Sequence, residues 1–172
     1  MANETGHREA VGTPTDHAFR DLFEQHHARL HRLACLLIGD AHVADEMTAE
    51  VFARVLPVWR AGRVDDPLAY LRRAIVNEAR SRHRRRRSER RATERWSARP
   101  AYEPASPSPL DRPVVAALRR LPPRQRAVVV LRFHDDLSEA EVARTLGMSV
   151  GSVKSQASRG LATLRTILQE ER

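Results

Sequence analysis

Cysteine is almost absent from this chain of 172 residues, where Cys35 stands alone. That excludes a disulfide framework and a multi-cysteine zinc site. Aromatic residues make up 5%, too few for a β-sandwich or barrel, whose strands favour aromatic and β-branched side chains. The length leaves no room for a single large catalytic barrel of about 250 residues. No apolar run approaches the roughly 20 residues of a membrane helix. The opening MANETGHREAVG has no apolar segment of the secretory kind. A Gly-rich phosphate loop, HExxH, GxSxG and CxxC are all missing. The expectation is a soluble, cytoplasmic, non-enzymatic chain, with no catalytic residue, no metal and no cofactor.

What the sequence does have is cationic charge, 30 Lys and Arg against 22 Asp and Glu, with Lys154 the single lysine. The excess of +8 is unevenly placed. Residues 1–50 carry a net −5, residues 51–100 a net +10 and residues 101–172 a net +3. The middle block contains Arg80, Arg82, the run Arg84–Arg87, Arg90, Arg91, Arg95 and Arg99. A cluster of this kind is the electrostatic footprint of a nucleic-acid binder. A solvated basic tail or a membrane-surface patch would have the same composition.

The pattern along the chain predicts an all-α fold of two small helical domains joined by a flexible linker. Residues 1–14 read as a disordered leader and residues 15–87 as the first domain. Asp16 is a plausible N-cap. Phe19, Leu22, Phe23, Leu30, Leu33, Ala34, Leu37 and Ile38 then recur at helical spacing. Gly39 is placed as a left-handed C-cap, and Asp40 caps a second helix. Val43, Met47, Val51, Phe52, Val55 and Trp59 face inward on it, with Asp45, Glu46 and Glu50 on a solvated acidic face. Residues 60–66 form a loop. Asp66 and Pro67 start a third helix, with Leu68, Leu71, Ala74, Ile75 and Ala79 inward, running into the arginine block.

Residues 88–109, rich in Pro and Ser, read as the linker. Residues 110–172 form the second domain. Val114, Val115, Leu118 and Leu121 make a short helix that stops at Pro122–Pro123, and residues 124–133 make another. Ser138 and Glu141 have capping-box spacing ahead of a helix ending at Gly147, and Ser149 caps the last helix, to about Gln169. Two helices joined by a turn of roughly three to four residues containing Gly give a helix-turn-helix. Its core is assigned to Val142, Ala143, Leu146, Met148, Val153, Ala157, Leu161 and Leu164. Ser152, Lys154, Ser155, Ser158 and Arg159 are left outward, with no acid on that face from Gly151 to Arg165. Hydroxyls beside long cations suit a helix lying in a major groove.

Other constellations are weaker. His27, His31 and Cys35 share one helical face, but a fourth zinc ligand is not evident, and Cys35 reads better as a small hydrophobe. The paired acids Asp65–Asp66 and Asp135–Asp136 precede helix starts or turns, where acids are favoured anyway. Nothing at those loop positions points to the burial that a poised general acid or base would need.

Residues 19–58, FRDLFEQHHARLHRLACLLIGDAHVADEMTAEVFARVLPV, resemble the first helices of region 2 of the sigma-70 family of RNA polymerase sigma factors. Residues 67–87, PLAYLRRAIVNEARSRHRRRR, resemble the end of that region that melts the promoter and reads the −10 element. Residues 118–165, with LPPRQR and GSVKSQASRGL, resemble region 4. No stretch is left for regions 1.1 and 3. That is the arrangement of the minimal extracytoplasmic-function (ECF) class, and it is similar to the actinobacterial SigE-type subfamily.

The resemblance implies roles. Asp45, Glu46 and Glu50 would dock the β′ clamp of core RNA polymerase, and the β flap is a second implied contact. Arg60, Arg63, Arg72, Arg73, Asn77, Arg80, Arg84 and Arg85 would meet the −10 strand. A flipped base would be held between the loop and the third helix, where its Watson–Crick edge can be read. Ser149, Ser152, Lys154, Ser155, Ser158 and Arg159 would meet the −35 duplex. An anti-sigma factor is a further partner that the resemblance implies, and no membrane is implied. A stand-alone helix-turn-helix regulator is the alternative, though it leaves the acidic face and the basic third helix without a role. A nuclease would need a metal or nucleophile constellation that is not evident.

Overall fold

The computed structural model describes residues 16–93 and 113–170. The described residues form helices and connecting turns, with no strand among them. In chain order the helices are α1 (Asp16–Ile38), α2 (Ala41–Arg60), α3 (Pro67–Thr93), α4 (Pro113–Arg120), α5 (Pro123–Phe133), α6 (Glu139–Leu146) and α7 (Val150–Glu170). The expected leader and the Pro-rich part of the expected linker lie outside the described residues.

Local chemistry accounts for most of the ends. Gly39, at φ +79°, closes α1 by donating its N–H to the Cys35 carbonyl at 2.7 Å. An Asp40 carboxylate oxygen accepts from the Val43 N–H at 3.1 Å and caps α2. Asp66 does the same for α3 through the Ala69 N–H at 3.0 Å, with Pro67 in the first helical position. Ser138 and Glu141 form a reciprocal capping box on α6. Gly147 ends α6 at φ +63°, and the Ser149 hydroxyl accepts from the Ser152 N–H to start α7.

The helices make two bundles, α1–α3 and α4–α7. Leu30, Leu33, Met47, Val51, Leu71 and Ile75 fill the first, and Val128, Leu131, Val142, Val153 and Leu164 are central to the second. Each such side chain contributes about 1.5–3 kcal/mol by leaving water. The bundles also pack on each other, α4 and α5 against α1, and α6 against α3. One apolar cluster is continuous through both.

Several expectations need correction. The third helix does not end at Arg87 but continues to Thr93, because Ser88–Ala92 contains neither Gly nor Pro to stop it. Phe23, Val114 and Leu161, expected inward, are exposed. Phe23 lies at the edge of its stripe, with its ring against Phe52 and His27. Val114 is in the first turn of α4, beside the buried Val115. On α7 the buried line passes through Val153, Gly160, Leu164 and Ile167. A Cβ on Gly160 would come within 2.8 Å of Val129, so the helices approach there and Leu161 turns outward.

Candidate nucleic-acid interface

Two surfaces carry the charge segregation seen in the sequence. The first begins with α2. Asp45, Glu46 and Glu50 fall on its exposed side, as expected, but each has a basic partner. The Asp45 carboxylate meets His31 Nε2 at 2.7 Å. Glu46 lies 3.4 Å from His42. Arg82 of α3 reaches Glu50 at 2.7 Å and Glu78 at 3.3 Å. Burial works against the Arg82 cation, yet the bonds and charges of Glu50 and Glu78 outweigh it and push its pKa up. The acidic face is therefore paired, with α1 through Asp45, within α2 through Glu46 and with α3 through Glu50, and is still open to solvent.

On α3, Arg73, Asn77 and Arg84 lie four and seven residues apart on one exposed face, with Arg85 exposed beside them. Arg60 ends α2, and Arg63 is exposed in the connection to α3. Two expected strand contacts are engaged within the protein. Arg72 is 8% exposed and bonded through Nε to the Asp135 carboxylate. Arg80 donates to the Leu146 carbonyl at 3.1 Å. A cleft of about 470 Å³ lies between the loop before α3, the start of α3, and α6. Tyr70 and Arg73 line one side of it, and Arg144 and Thr145 the other.

The second surface is the start of α7. Ser149, Ser152, Lys154, Ser155, Ser158 and Arg159 are all exposed, and the buried Val153 fixes which way that face points. Ser155 and Ser149 partly satisfy local backbone groups. No acid stands on that face from Gly151 to Arg165, but Glu139 of α6 lies 3.6 Å from Lys154. The helix-turn-helix geometry that presents the cations also brings that acid beside one of them.

Among the described residues no group of three candidate metal ligands is gathered, on the His27, His31 and Cys35 face or elsewhere. His31 is taken up by Asp45, and the Cys35 sulfur sits 3.4 Å from His31 Nε2. Burial, with the charges of Asp45 and Asp40, pushes the Cys35 thiol up to about 11. Asp135, expected to be a turn acid with nothing pointing to burial, is instead 3% exposed. No local pattern marks it, because its partners Arg29 and Arg72 come from the other bundle.

Comparison with known proteins agrees with this division. Residues 22–89 match Sigma-70 region 2, and residues 111–164 match Sigma-70, region 4. The RNA polymerase sigma-E factor of Streptomyces coelicolor is 37% identical over 140 residues, covering 79% of this chain and 77% of that protein. The ECF RNA polymerase sigma factor SigE of Mycolicibacterium smegmatis is 35% identical over 155 residues, covering 86% and 60%. The fold is similar to that of the sigma factor RpoE solved with the anti-sigma factor NepR from Bartonella quintana. That match has a TM-score of 0.71 at 22% identity, over 90% of this chain and 98% of the other. It is also similar to CnrH solved with the cytosolic domain of CnrY, with a TM-score of 0.67 at 24% identity, over 92% of each.

Proposed function

The chain belongs to the sigma-70 family of RNA polymerase sigma factors, in the ECF class, and from that premise we propose how its two bundles divide the work. It is an alternative sigma factor that directs promoter recognition and transcription initiation, and sigma factors do so without catalysis of their own. The first domain runs from residue 15 to the end of α3 at Thr93 rather than to 87, the second runs over 110–172, and the stretch between them is the tether. Asp45, Glu46 and Glu50 dock the β′ clamp, and the second domain meets the β flap. The loop before α3, with Arg60 and Arg63, and the α3 residues Arg72, Arg73, Asn77, Arg80, Arg84 and Arg85 hold the −10 strand. The arginines follow phosphates, and Asn77 can bond the Watson–Crick edge of an extruded base.

For the −35 duplex, the start of α7 enters the major groove. Ser149 and Ser152 approach a phosphate at the helix N-terminus, with Ser155 and Ser158 beside them. Lys154 and Arg159 reach guanine O6/N7 or phosphate. The observation that carries this reading is the exposed hydroxyl and cation face of α7, held outward by Val153. The likeness in fold to a sigma factor solved with the anti-sigma factor NepR supports a like anti-sigma partner here. The work is done in the cytoplasm, with the polymerase; none of the described helices is long and apolar enough to cross a membrane.

The test is transcription in vitro with core polymerase on genomic fragments, mapping the start sites. The expected result is a small set of defined starts. Lys154→Ala with Arg159→Ala should lower their yield while leaving core binding intact. No core binding and no defined start would overturn the reading. A palindromic duplex bound tightly without polymerase would favour the stand-alone regulator instead.

A further inference from the structure

Asp45 and Glu46 on the α2 face are each met by a histidine, although arginine is the common cation of this chain. His31 of α1 places Nε2 at 2.7 Å from an Asp45 carboxylate oxygen. His42, one turn before Glu46 on α2 itself, places Nε2 at 3.4 Å from that carboxylate. The two contacts differ in freedom. The His31 side chain is 26% exposed and that of His42 84%. His31 is wedged on its own helix between the Cys35 sulfur, 3.4 Å from Nε2, and the parallel ring of His27. The His27 ring is held in turn against Phe23 and Phe52. His31 therefore stays beside Asp45, whereas His42 is free to turn.

The charged and titratable groups around the pair come from three elements. α1 presents His27 and Cys35, whose thiol is pushed up to about 11 by burial and by the charges of Asp45 and Asp40, and so stays neutral. α2 presents the carboxylates themselves. α3 presents Arg82, at 2.7 Å from Glu50 and 3.8 Å from Glu46, together with Glu78, which Arg82 also binds. On the face itself, three carboxylates against Arg82 leave two net negative charges while both imidazoles are neutral. Protonation of both imidazoles removes that excess. Histidine is the side chain suited to change charge between about pH 5 and 8. Asp45 and Glu46 remain open, at 64% and 51% side-chain exposure, so a partner's cations can reach them.

We propose that His31 and His42 make docking of this acidic face proton-linked. Protonated, they are internal cations that hold Asp45 and Glu46; neutral, they leave both carboxylates to a basic partner. That the partner is core polymerase rests on the reading of α2 as the docking face. An imidazolium and a partner's cation compete for the same carboxylate oxygen, since a charge-assisted bond forms with either. Docking therefore expels protons where the histidines titrate, and affinity falls as the pH drops through that range. Arginine in their place could not do this, because it is always charged. Each exposed pair contributes a modest factor, so the response is graded rather than all-or-none.

The test measures the affinity of the full-length chain for core polymerase at low salt, from about pH 8 to about pH 5.5. His31→Gln with His42→Gln keeps an amide donor for each carboxylate but takes up no proton. The polymerase titrates too, so the readout is the difference between parent and variant. Over that range the parent is expected to lose about fivefold more affinity than the variant. His42→Lys sets a permanent cation beside Glu46 at an exposed position, and should bind about threefold more weakly than the parent at about pH 7.5. It carries the test if circular dichroism shows that His31→Gln fails to fold. Asp45→Asn with Glu46→Gln separates the proton link from the docking reading. Full affinity in that variant would remove α2 from the docking surface, and the proton link with it. Weakened docking there, with parallel pH profiles for the parent and the double histidine variant or parental affinity in His42→Lys, would overturn the proton link alone.

Discussion

Arg126 is a cation held out of water at 6% exposure. Burial pushes its pKa down to about 10, and the charge of Arg119 acts in the same direction. It remains charged at neutral pH and donates to the Leu37, Arg119 and Leu121 carbonyls, closing the C-terminal ends of α1 and α4. Arg126→Met would leave those carbonyls without this donor, and we expect a loss of about 3 kcal/mol in urea unfolding. A loss under about 0.5 kcal/mol, the range of ordinary surface changes, would refute that role. The Leu37 carbonyl also lies 3.1 Å from His83 Nε2. Burial lowers the His83 pKa, Arg126 and Arg86 lower it further, and the Leu37 bond opposes them. The unfolded chain therefore takes up a proton below about pH 6.5 that the folded chain refuses. Stability from neutral His83 is full above that value and falls as the pH drops through it. Urea midpoints at pH 7.5 and 5.5 should differ less in His83→Gln than in the parent, and equal differences would exclude His83 as the source. At this scale the sequence was informative where one residue decides, as with Cys35 reading as a small hydrophobe. It was silent on Arg126 and gave no sign of the burial of Asp135, because their partners lie in other helices.

The elements were more legible than the residues because their ends depend on neighbours in sequence. Asp40, Asp66, Ser138 and Gly147 each act within four positions of the end they close, so spacing alone reveals them. Ser138→Ala should remove the α6 cap and cost about 1 kcal/mol, read as a lower thermal midpoint. An unchanged midpoint would mean that Glu141 satisfies that helix end alone. The end of α3 was not legible, since no breaker stands between Arg87 and Thr93. Leu161 misled for a different reason. Apolar periodicity points to the larger side chain, whereas the α5–α7 contact selects Gly160 for its lack of one. Gly160→Ala should therefore overpack that contact, costing about 1–3 kcal/mol despite the better helix propensity of alanine. A stabilised Gly160→Ala variant would show that α7 can move away from Val129 freely.

At the scale of the molecule, the all-α class and the two bundles follow from stripes, caps and prolines, but their mutual placement does not. It turns on pairs such as Arg29 and Asp135, 106 positions apart, which no local period encodes. The same limit applies to the −35 face, where the sequence shows Lys154 and Arg159 but not the α6 acid folded beside the lysine. That acid makes a prediction possible. Glu139 and Lys154 form an exposed pair at 3.6 Å, worth less than about 1 kcal/mol. Glu139→Ala should free Lys154 and tighten binding to a −35 duplex by less than about fivefold at low salt. Each phosphate contact contributes about 0.9 to the slope of log affinity against log salt. If Lys154 and Arg159 both meet phosphate, Lys154→Ala with Arg159→Ala should flatten that slope by about 1.8 and weaken all sequences alike. A retained slope with lost discrimination between −35 sequences would instead assign the pair to base edges. Unchanged affinity, slope and discrimination would remove α7 from the interface altogether.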